Sequence, residues 1–395
     1  MTASVPNSRT VLLEQARSLA ADLRRRGAEI SKLRRLPDDV MQSIVDAGLM
    51  QLSRPKRYGG PEVGIDTLFE VTRELARGDG STAWVYVVIN SHDLLIGHFP
   101  EPIQQEYWHS KLPQSGSSYV PFGKASLAKG GYKLSGKWSF VSGVDFVGWV
   151  VIGAIVGMRQ DEPQAPDLRY FLLRRSDFEI EDDWDVMGLS GTGSKSIVVN
   201  DVFVPDERIL TNVAVSSGET PGSRNHNDLI YRSSVWSILT FALPAIATGV
   251  AQGAYEVLLE EFRGRMSMPD PIFHGKRPAI QLHLAEASCR IRASDLLYMQ
   301  ALRDSFAQIR SGNPLTLEQR VNNRRDTTYS VAMARAAAEM LLSMAGARGL
   351  SNDGVIQRAV RDLYACSVHP GTNVDSAGLS FGSVVLGGPP TEPYY

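Results

Sequence analysis

The amino-acid sequence predicts an α+β fold in which a β-rich middle region separates two helical regions. Apolar residues recur at helical spacing in the first part of the chain, then alternate with polar residues and turn dipeptides, and later return to long helical patterns. The changes of period define three predicted domains, which cover residues 1–112, 113–214 and 215–395.

The N-terminal domain shows the helical period most simply. Leu12, Leu19 and Leu23 lie on one face of a predicted helix, and Val40 and Ile44 lie on one face of the next. The Pro-Asp-Asp segment at 37–39 suits the start of that second helix, because proline fits the first turn and anions favour the helix N-terminus. We therefore predict a mainly helical domain.

The middle domain has the pattern of short strands joined by tight turns. Gly130-Gly131 and Ser142-Gly143 are turn dipeptides that separate alternating or apolar runs. The predicted strands are 138–141, 149–156, 170–173, 196–199 and 202–204.

The C-terminal domain is predicted to be a four-helix bundle. Long stretches rich in Ala, Leu, Arg and Glu alternate with short polar connections, a pattern typical of antiparallel helices. The predicted helices are 230–266, with an interruption near Pro244, then 279–311, 316–346 and 353–369 onward. The tail at 387–395 is too rich in Pro and Gly for a helix, so it is either loose or an arm on a neighbouring subunit.

Charge and composition exclude several classes of partner. The chain has 41 Lys plus Arg against 43 Asp plus Glu, a net charge of -2, so no basic field favours nucleic acid or an anionic membrane. The longest apolar run, at 238–250, is shorter than the ~20 residues of a membrane span and is predicted to be a buried core helix. No secretory signal pattern opens the chain, so a cytoplasmic location is expected.

Familiar catalytic and nucleotide-binding motifs do not match. The GLSGTGSK segment at 188–195 lacks the GxxxxGK[ST] order of a phosphate loop, and strand residues follow it. A GxGxxG segment between an early strand and a helix, an HExxH metal motif and a GxSxG nucleophile elbow are all missing. No metal site is predicted.

Three longer segments carry a family resemblance. They read GGYKLSGKWSFVSG at 130–143, GLSGTGSKSIVVNDVFVP at 188–205 and RDLYACSVHPGTNVDSAG at 361–378. Together with the helical, β, helical order, they resemble the oxygenase components of two-component flavin-dependent monooxygenases, such as 4-hydroxyphenylacetate 3-hydroxylase and related phenol hydroxylases. This family is built on the acyl-CoA dehydrogenase fold, which implies a central β-barrel or β-sandwich domain and a C-terminal four-helix bundle.

The resemblance implies an activity and its partners. A separate flavin reductase would supply FMNH2 or FADH2, which reacts with O2 to give a C4a-hydroperoxide that hydroxylates a phenolic or polyketide-type aromatic substrate. A homotetramer is also implied. Three alternatives stay open. The same intermediate could hydroxylate the nitrogen of an amine, or the protein could use FAD to oxidise an acyl thioester with Asp375 as the nearby base. The third alternative is a non-catalytic scaffold. The lack of a glutamate between Glu339 and Glu392 favours the oxygenases.

Two residues match the family positions closest to the reacting part of the flavin. Ser142 matches the serine beside flavin N5, where its hydroxyl restrains proton loss, and His369 matches a histidine near C4a, where imidazole can donate a hydrogen bond or act as acid and base. Without the family match, Ser142 is equally a turn residue and His369 more often a structural one.

Further positions match the walls of the same pocket. His92 matches a histidine that can orient or deprotonate a phenol, and Trp84 matches an aromatic residue against flavin and substrate. Ser117 matches a flavin-side or substrate-side serine, although Ser118 could fill that position. Packing inside an N-terminal helix is a nearly equal alternative for His92.

Two more flavin contacts are proposed from the resemblance. Trp138 could pack against the isoalloxazine, or be a core tryptophan of the β domain. Arg232 matches an arginine that contacts the flavin from the bundle domain.

Overall fold

A computed structural model describes residues 8–61, 63–263 and 274–392. Five helices form the N-terminal region, and the fourth, α4, is buried along almost its whole length. These helices are α1 (Arg9–Leu33), α2 (Asp38–Asp46), α3 (Asp66–Ala76), α4 (Gly80–Ile96) and α5 (Glu101–Trp108). The start of α4 is fixed by Asp79, whose carboxylate accepts hydrogen bonds from the backbone N–H of Thr82 at 2.7 Å and from its hydroxyl at 2.8 Å.

The middle of the chain forms one mixed sheet of seven strands. They are β1 (Ser115–Ala128), β2 (Gly131–Val141), β3 (Trp149–Met158), β4 (Pro166–Arg174), β5 (Glu179–Glu181), β6 (Lys195–Pro205) and β7 (Ile209–Thr211). Their spatial order is β5-β6-β2-β1-β3-β4-β7, with β1 antiparallel to β2 and parallel to β3. The two strands predicted at 196–199 and 202–204 are one continuous strand, β6. Strand β1 was missing from the sequence prediction.

Trp138 lies at the centre of this sheet. Its side chain has no exposed surface, and its indole N–H donates to the carbonyl oxygen of Gly153 at 2.8 Å. The ring lies over Gly123 of the neighbouring strand, where an added Cβ would come within 2.0 Å of a ring carbon. This placement favours the core interpretation of Trp138 over a wall of the flavin site, because a fully covered ring offers no face to a ligand.

The C-terminal region is helical, as predicted, with different boundaries. Its helices are α6 (Asn212–Ser217), α7 (Val235–Leu239), α8 (Ala242–Arg263), α9 (Pro278–Arg310), α10 (Leu317–Ala345), α11 (Val355–Ser367) and α12 (Val374–Val385). The predicted helix 230–266 is therefore divided, and its last residues lie outside the described part of the chain. The fourth helix is interrupted at Pro370, which begins a 3-10 turn.

Helix α8 occupies the core of the molecule. The span Val235–Arg263 is long and apolar enough to pass a test for a membrane helix, but 67% of the tested window is buried inside the protein. Within it, α8 packs against α3, α4, α9, α10 and α11. Those contacts agree with a core helix rather than a membrane span.

The end of the described chain is docked rather than loose. Glu392 forms a buried, two-pronged ion pair with Arg324 of α10, with Nε to Oε1 at 2.8 Å and Nη2 to Oε2 at 3.2 Å. Ser376 of α12 donates to the same carboxylate at 2.6 Å. A loose tail is therefore wrong as far as Glu392, which packs on its own chain, and an arm on a neighbouring subunit stays a prediction.

Candidate active site

Helix α4 has one narrow face that is less buried than the rest of the helix, and we call the region around this face the cleft. Trp84 and Val88 are half-buried, whereas the residues on either side of each are buried. They lie four residues apart, and His92 follows after another four, so the three share one face over about 12 Å of helix. Since α4 contacts α3, α8, β1, α11 and the turn Ser190–Thr192, this face lies where all three parts of the fold meet.

Trp84 brings Ser142 and His369 into one site. Its indole N–H donates to Ser142 Oγ at 2.9 Å, and its ring meets the ring of His369 edge-on, with centroids 5.8 Å apart. Ser142 comes from the end of β2 and His369 from the turn after α11. The two residues that the sequence assigned to the flavin are therefore neighbours of the same side chain.

The turn after β2 holds Ser142 in place. Gly143 has φ of +66°, and an added Cβ there would come within 2.9 Å of Val85 Cγ1 on α4, so glycine suits both the turn and the close approach. Its backbone N–H donates to the carbonyl oxygen of Thr192 at 2.9 Å. This bond ties the end of β2 to the loop before β6.

That loop adds two hydroxyl groups behind Ser142. Ser142 Oγ lies 2.8 Å from Ser194 Oγ, which lies 2.7 Å from Thr192 Oγ1. All three side chains are buried, and we call them the hydroxyl chain. Neither Ser194 nor Thr192 is among the predicted site residues, although both lie in the GLSGTGS segment that carries the family resemblance.

The loop is anchored to the bundle by a buried carboxylate. Asp362 of α11 accepts a hydrogen bond from the backbone N–H of Leu189 at 2.6 Å, and Leu189 has φ of +52°. Burial, together with the nearby Asp79, raises the pKa of Asp362 to about 7. The residue that begins the hydroxyl-chain loop is thus held in a left-handed conformation by a helix of another domain.

His369 is oriented by its own turn. The backbone N–H of Gly371 donates to His369 Nδ1 at 2.9 Å, so the neutral ring carries its proton on Nε2. Arg324 fixes this turn by donating to the carbonyl oxygens of Pro370, at 2.8 Å, and Gly371. His369 is exposed, but the protein packed beside its ring and the Arg324 charge lower its pKa and favour the neutral form. The site therefore has an N–H donor at this position.

In His92 the two ring nitrogens have the reverse roles, so that Nδ1 donates and Nε2 accepts. Its Nδ1 lies 2.6 Å from the carbonyl oxygen of Ser115, which can only accept, so Nδ1 carries the proton and Nε2 is an acceptor. Ser117 Oγ lies 2.9 Å from Nε2 and donates to it. Burial of the ring lowers its pKa to about 4, which keeps it neutral under physiological conditions.

Aromatic side chains enclose the His92 and Ser117 pair. Tyr119, two residues after Ser117 on β1, meets the His92 ring edge-on at 6.1 Å and the Trp236 ring at 5.0 Å. Tyr170 of β4 contacts both Tyr119 and Trp236. These rings make one end of the cleft apolar, which suits an aromatic ligand.

Comparison with known proteins agrees with this architecture. Family models for the N-terminal and C-terminal domains of acyl-CoA dehydrogenases match residues 8–114 and 239–374. The oxygenase subunit HsaA of a flavin-dependent monooxygenase from Rhodococcus jostii is 31% identical over 389 residues, which are 96% of this chain and 99% of that protein. The chain belongs to this oxygenase family. The predicted family and fold class are thereby confirmed.

Other relatives of this flavin-dependent oxygenase extend the comparison. The oxygenase component of an FADH(2)-dependent resorcinol hydroxylase from Rhizobium sp. is 32% identical and covers 95% of this chain and 94% of its own length. The crystal structure of HsaA from M. tuberculosis has a TM-score of 0.91 at 31% identity and covers 98% of this chain and all of that one. The names "oxygenase subunit" and "oxygenase component" mean that a separate reductase completes the system, as predicted.

The cleft residues of this oxygenase fit a reduced flavin. An isoalloxazine ring has flat apolar faces and an edge of hydrogen-bonding groups. The half-buried Trp84 ring supplies an aromatic wall, Ser142 Oγ a hydroxyl and His369 Nε2 a hydrogen-bond donor within one site. Reduced flavin and O2, the cofactor and cosubstrate predicted from the sequence, therefore match both the family and the donor set.

The remaining predicted contacts are placed less centrally. Arg232 ends a short 3-10 turn before α7, and its side chain is exposed. Its role as a flavin contact stays a prediction. Ser118, the alternative to Ser117, is buried and donates to the carbonyl oxygen of Ser139 at 2.8 Å, so it supports the sheet. Of these two serines, Ser117 is the one joined to His92.

Proposed function

We propose that this oxygenase hydroxylates a phenol whose hydroxyl group binds at Ser117 and His92. The observation that carries the proposal is the shared face of α4. At one end Trp84 joins Ser142 and His369, and about two turns away His92 accepts a hydrogen bond from Ser117 inside an aromatic enclosure. We assign the flavin edge to the first cluster and the aromatic ring of the substrate to the second.

Ser142, His369 and Trp84 are assigned to the flavin. When bound, reduced flavin supplies the electrons that activate O2. Trp84 would pack against the ring system, and Ser142 would bind at its N5 edge. His369 would donate its Nε2 hydrogen on the side where oxygen binds, since a fixed donor stabilises negative charge without reorganisation. Ser142 is buried and Trp84 is half-buried, so water has limited access to the Ser142 hydroxyl.

Ser117 and His92 are assigned to the substrate as a proton relay. The substrate hydroxyl donates to Ser117 Oγ, and Ser117 donates to His92 Nε2. Because the pKa of His92 is about 4, this relay does not ionise the phenol in advance. The phenol proton passes to Ser117, and the Ser117 proton to His92, as the ring carbon receives oxygen and the loss of electron density makes the hydroxyl far more acidic. The products of the transfer are a carbonyl-type oxygen on the ring and an imidazolium, with the Ser117 hydroxyl restored.

The relatives' names are consistent with a phenolic substrate. Two of them are named for resorcinol and p-hydroxyphenylacetate, and both compounds have a hydroxyl on an aromatic ring. The thioester dehydrogenase alternative gains no similar support, because its proposed base, Asp375, is exposed at the start of α12. We further propose that FMNH2 or FADH2 reaches the site by diffusion from the reductase and that the protein acts in the cytoplasm.

A homotetramer is proposed from the exposed surface of the bundle. Large apolar side chains there are exposed to 55% at Leu296, 70% at Leu282 and 66% at Leu379. An interface between helical bundles would cover such side chains and favour assembly of subunits. Light scattering coupled to gel filtration would give a tetramer mass, whereas a monomer mass would refute this part of the proposal.

The substrate proposal is tested with photoreduced FMN or FAD. The protein and reduced flavin are mixed with oxygenated buffer containing either 4-hydroxyphenylacetate and resorcinol or matched anilines, and products are identified by mass spectrometry with labelled O2. We expect label in phenol products only. His92→Ala should abolish hydroxylation, whereas His283→Ala, which removes an exposed histidine of α9, should not. Labelled N-hydroxy products without phenol products would replace the proposal with amine oxidation.

A further inference from the structure

The hydroxyl chain has a fixed direction that begins at a backbone carbonyl. Thr192 Oγ1 lies 2.8 Å from the carbonyl oxygen of Leu189, which can only accept a hydrogen bond. Thr192 therefore donates its single hydroxyl proton to Leu189. Its oxygen can then only accept from Ser194, 2.7 Å away. The proton of Ser194 is thus committed to Thr192.

The direction continues to Ser142. Because Ser194 has no second proton, the 2.8 Å contact between Ser194 Oγ and Ser142 Oγ requires Ser142 to donate. The Trp84 indole N–H, which can only donate, takes one lone pair of Ser142 Oγ. Ser142 is left with one lone pair and no free proton, so toward a ligand it can only accept.

We propose that Thr192 and Ser194 make the site selective for reduced over oxidised flavin. The inference rests on the proposed placement of Ser142 at the N5 edge. Reduced flavin carries N5–H, a donor that the free lone pair of Ser142 accepts. Oxidised flavin has a lone pair at N5, which would face the lone pair of Ser142. Thr192 and Ser194 act through Ser142 and are positioning residues.

Burial and anchoring keep this polarity from reversing. The exposed fractions of Thr192, Ser194 and Ser142 are 2%, 5% and 6%, which leaves water little access to offer an alternative donor. Leu189, the terminal acceptor, is held by Asp362 of α11. The hydrogen-bond polarity of a β-domain serine is therefore set by a loop fastened to the helical bundle.

The test is flavin affinity in both redox states, without turnover. Dissociation constants for oxidised FAD and, under anaerobic conditions, for FADH2 are measured for the full-length protein and for Thr192→Val, Thr192→Ser, Ser194→Ala and Ser142→Ala. Thr192→Val keeps the shape of the side chain but frees the Ser194 and Ser142 protons to turn. We expect the preference for FADH2 to fall by about threefold to tenfold in Thr192→Val, the range for one hydrogen bond, and to be retained in Thr192→Ser.

The outcomes separate the inference from the placement it rests on. If Ser142→Ala lowers the preference but Thr192→Val and Ser194→Ala match the unmodified protein, the polarity inference is wrong and the flavin placement stands. If Ser142→Ala leaves both constants unchanged, Ser142 is not at N5 and both ideas fail. Thermal unfolding is followed for every variant. Should Thr192→Val not fold, Ser194→Ala decides, because it removes the acceptor of the Ser142 proton directly.

Discussion

Replacing Glu392 with glutamine tests how the chain end supports the active site. The carboxylate of Glu392 binds Arg324, and Arg324 holds the carbonyl oxygens of Pro370 and Gly371. These residues form the turn in which the Gly371 N–H fixes the tautomer of His369. Glu392→Gln keeps the size and one acceptor oxygen but removes the charge, so it should loosen the turn without changing any residue of the cleft.

The burial of the Arg324 and Glu392 pair determines how much free energy Glu392→Gln should cost. Arg324 and Glu392 are 4% and 9% exposed, and removing one partner from a buried pair costs about 3–5 kcal/mol. Arg324 keeps its two carbonyl acceptors, and the glutamine oxygen retains one bond, so we expect a smaller cost of about 1–3 kcal/mol. Because the segment can undock without global unfolding, the cost should be seen first as local opening.

Hydrogen exchange followed by mass spectrometry is the direct assay. Peptides that cover 368–392 should exchange faster in Glu392→Gln, and a larger share of reduced flavin should be consumed without product. The control is Glu339→Gln, which breaks an exposed pair with Arg335 at 3.5 Å, where the side chains are 37% and 41% exposed. Such pairs contribute little. Equal exchange and equal coupling in the two variants would refute the proposed support of His369.

Three further changes test other parts of the structure. Burial lowers the pKa of His92 from 6.5 to about 4, so the stability contributed by the neutral ring is complete above pH 6.5 and is lost as the pH falls through 4. The hydroxylation rate, measured where the protein is still folded, should fall over the same pH range, and a midpoint at pH 6.5 would contradict the assignment. Ser117→Ala should lower the hydroxylation rate by about tenfold or more, with a smaller loss for more acidic phenols; equal loss for all phenols in rapid-mixing assays would count against a relay. Gly123→Ala, whose Cβ would meet the Trp138 ring, should cost about 1–3 kcal/mol in urea unfolding, whereas Gly378→Ala, with open space around it, should not; equal midpoints would show that the sheet adjusts freely.

Sequence periodicity predicted strands within β2, β3, β4 and β6, but it missed β1 and the short strands β5 and β7. The segment that contains Ser117 is polar and includes Pro121, which argues against a central strand. It is a strand because β2 and β3 pair with it on both sides, and the pairing register shifts between Ser118 and Gly123, where the proline lies. Tertiary pairing thus overrides the local signal.

A single sequence could not predict which side chains of the site lie close to one another. Nearly every residue of α4 is buried, so periodicity cannot distinguish Trp84 and His92 from core residues. The partners that give them a role are distant in the chain, since Ser142 lies 58 positions from Trp84 and Ser117 lies 25 positions from His92. The family resemblance predicted Ser142 and His369 as site residues, but the direction of their hydrogen bonds could be assigned only from atomic positions.

Three polar side chains of the site, His92, His369 and Ser142, share one principle. A backbone group sets the hydrogen-bond polarity of each: the Ser115 carbonyl makes His92 Nε2 an acceptor, the Gly371 N–H makes His369 Nε2 a donor, and the Leu189 carbonyl makes Ser142 an acceptor through Thr192 and Ser194. Backbone groups cannot change their protonation, whereas isolated histidines and hydroxyls can reorient. A cleft built in this way keeps its donor and acceptor pattern while flavin, oxygen and substrate enter in turn. Substitutions behind the cleft should therefore change ligand selectivity as much as substitutions within it.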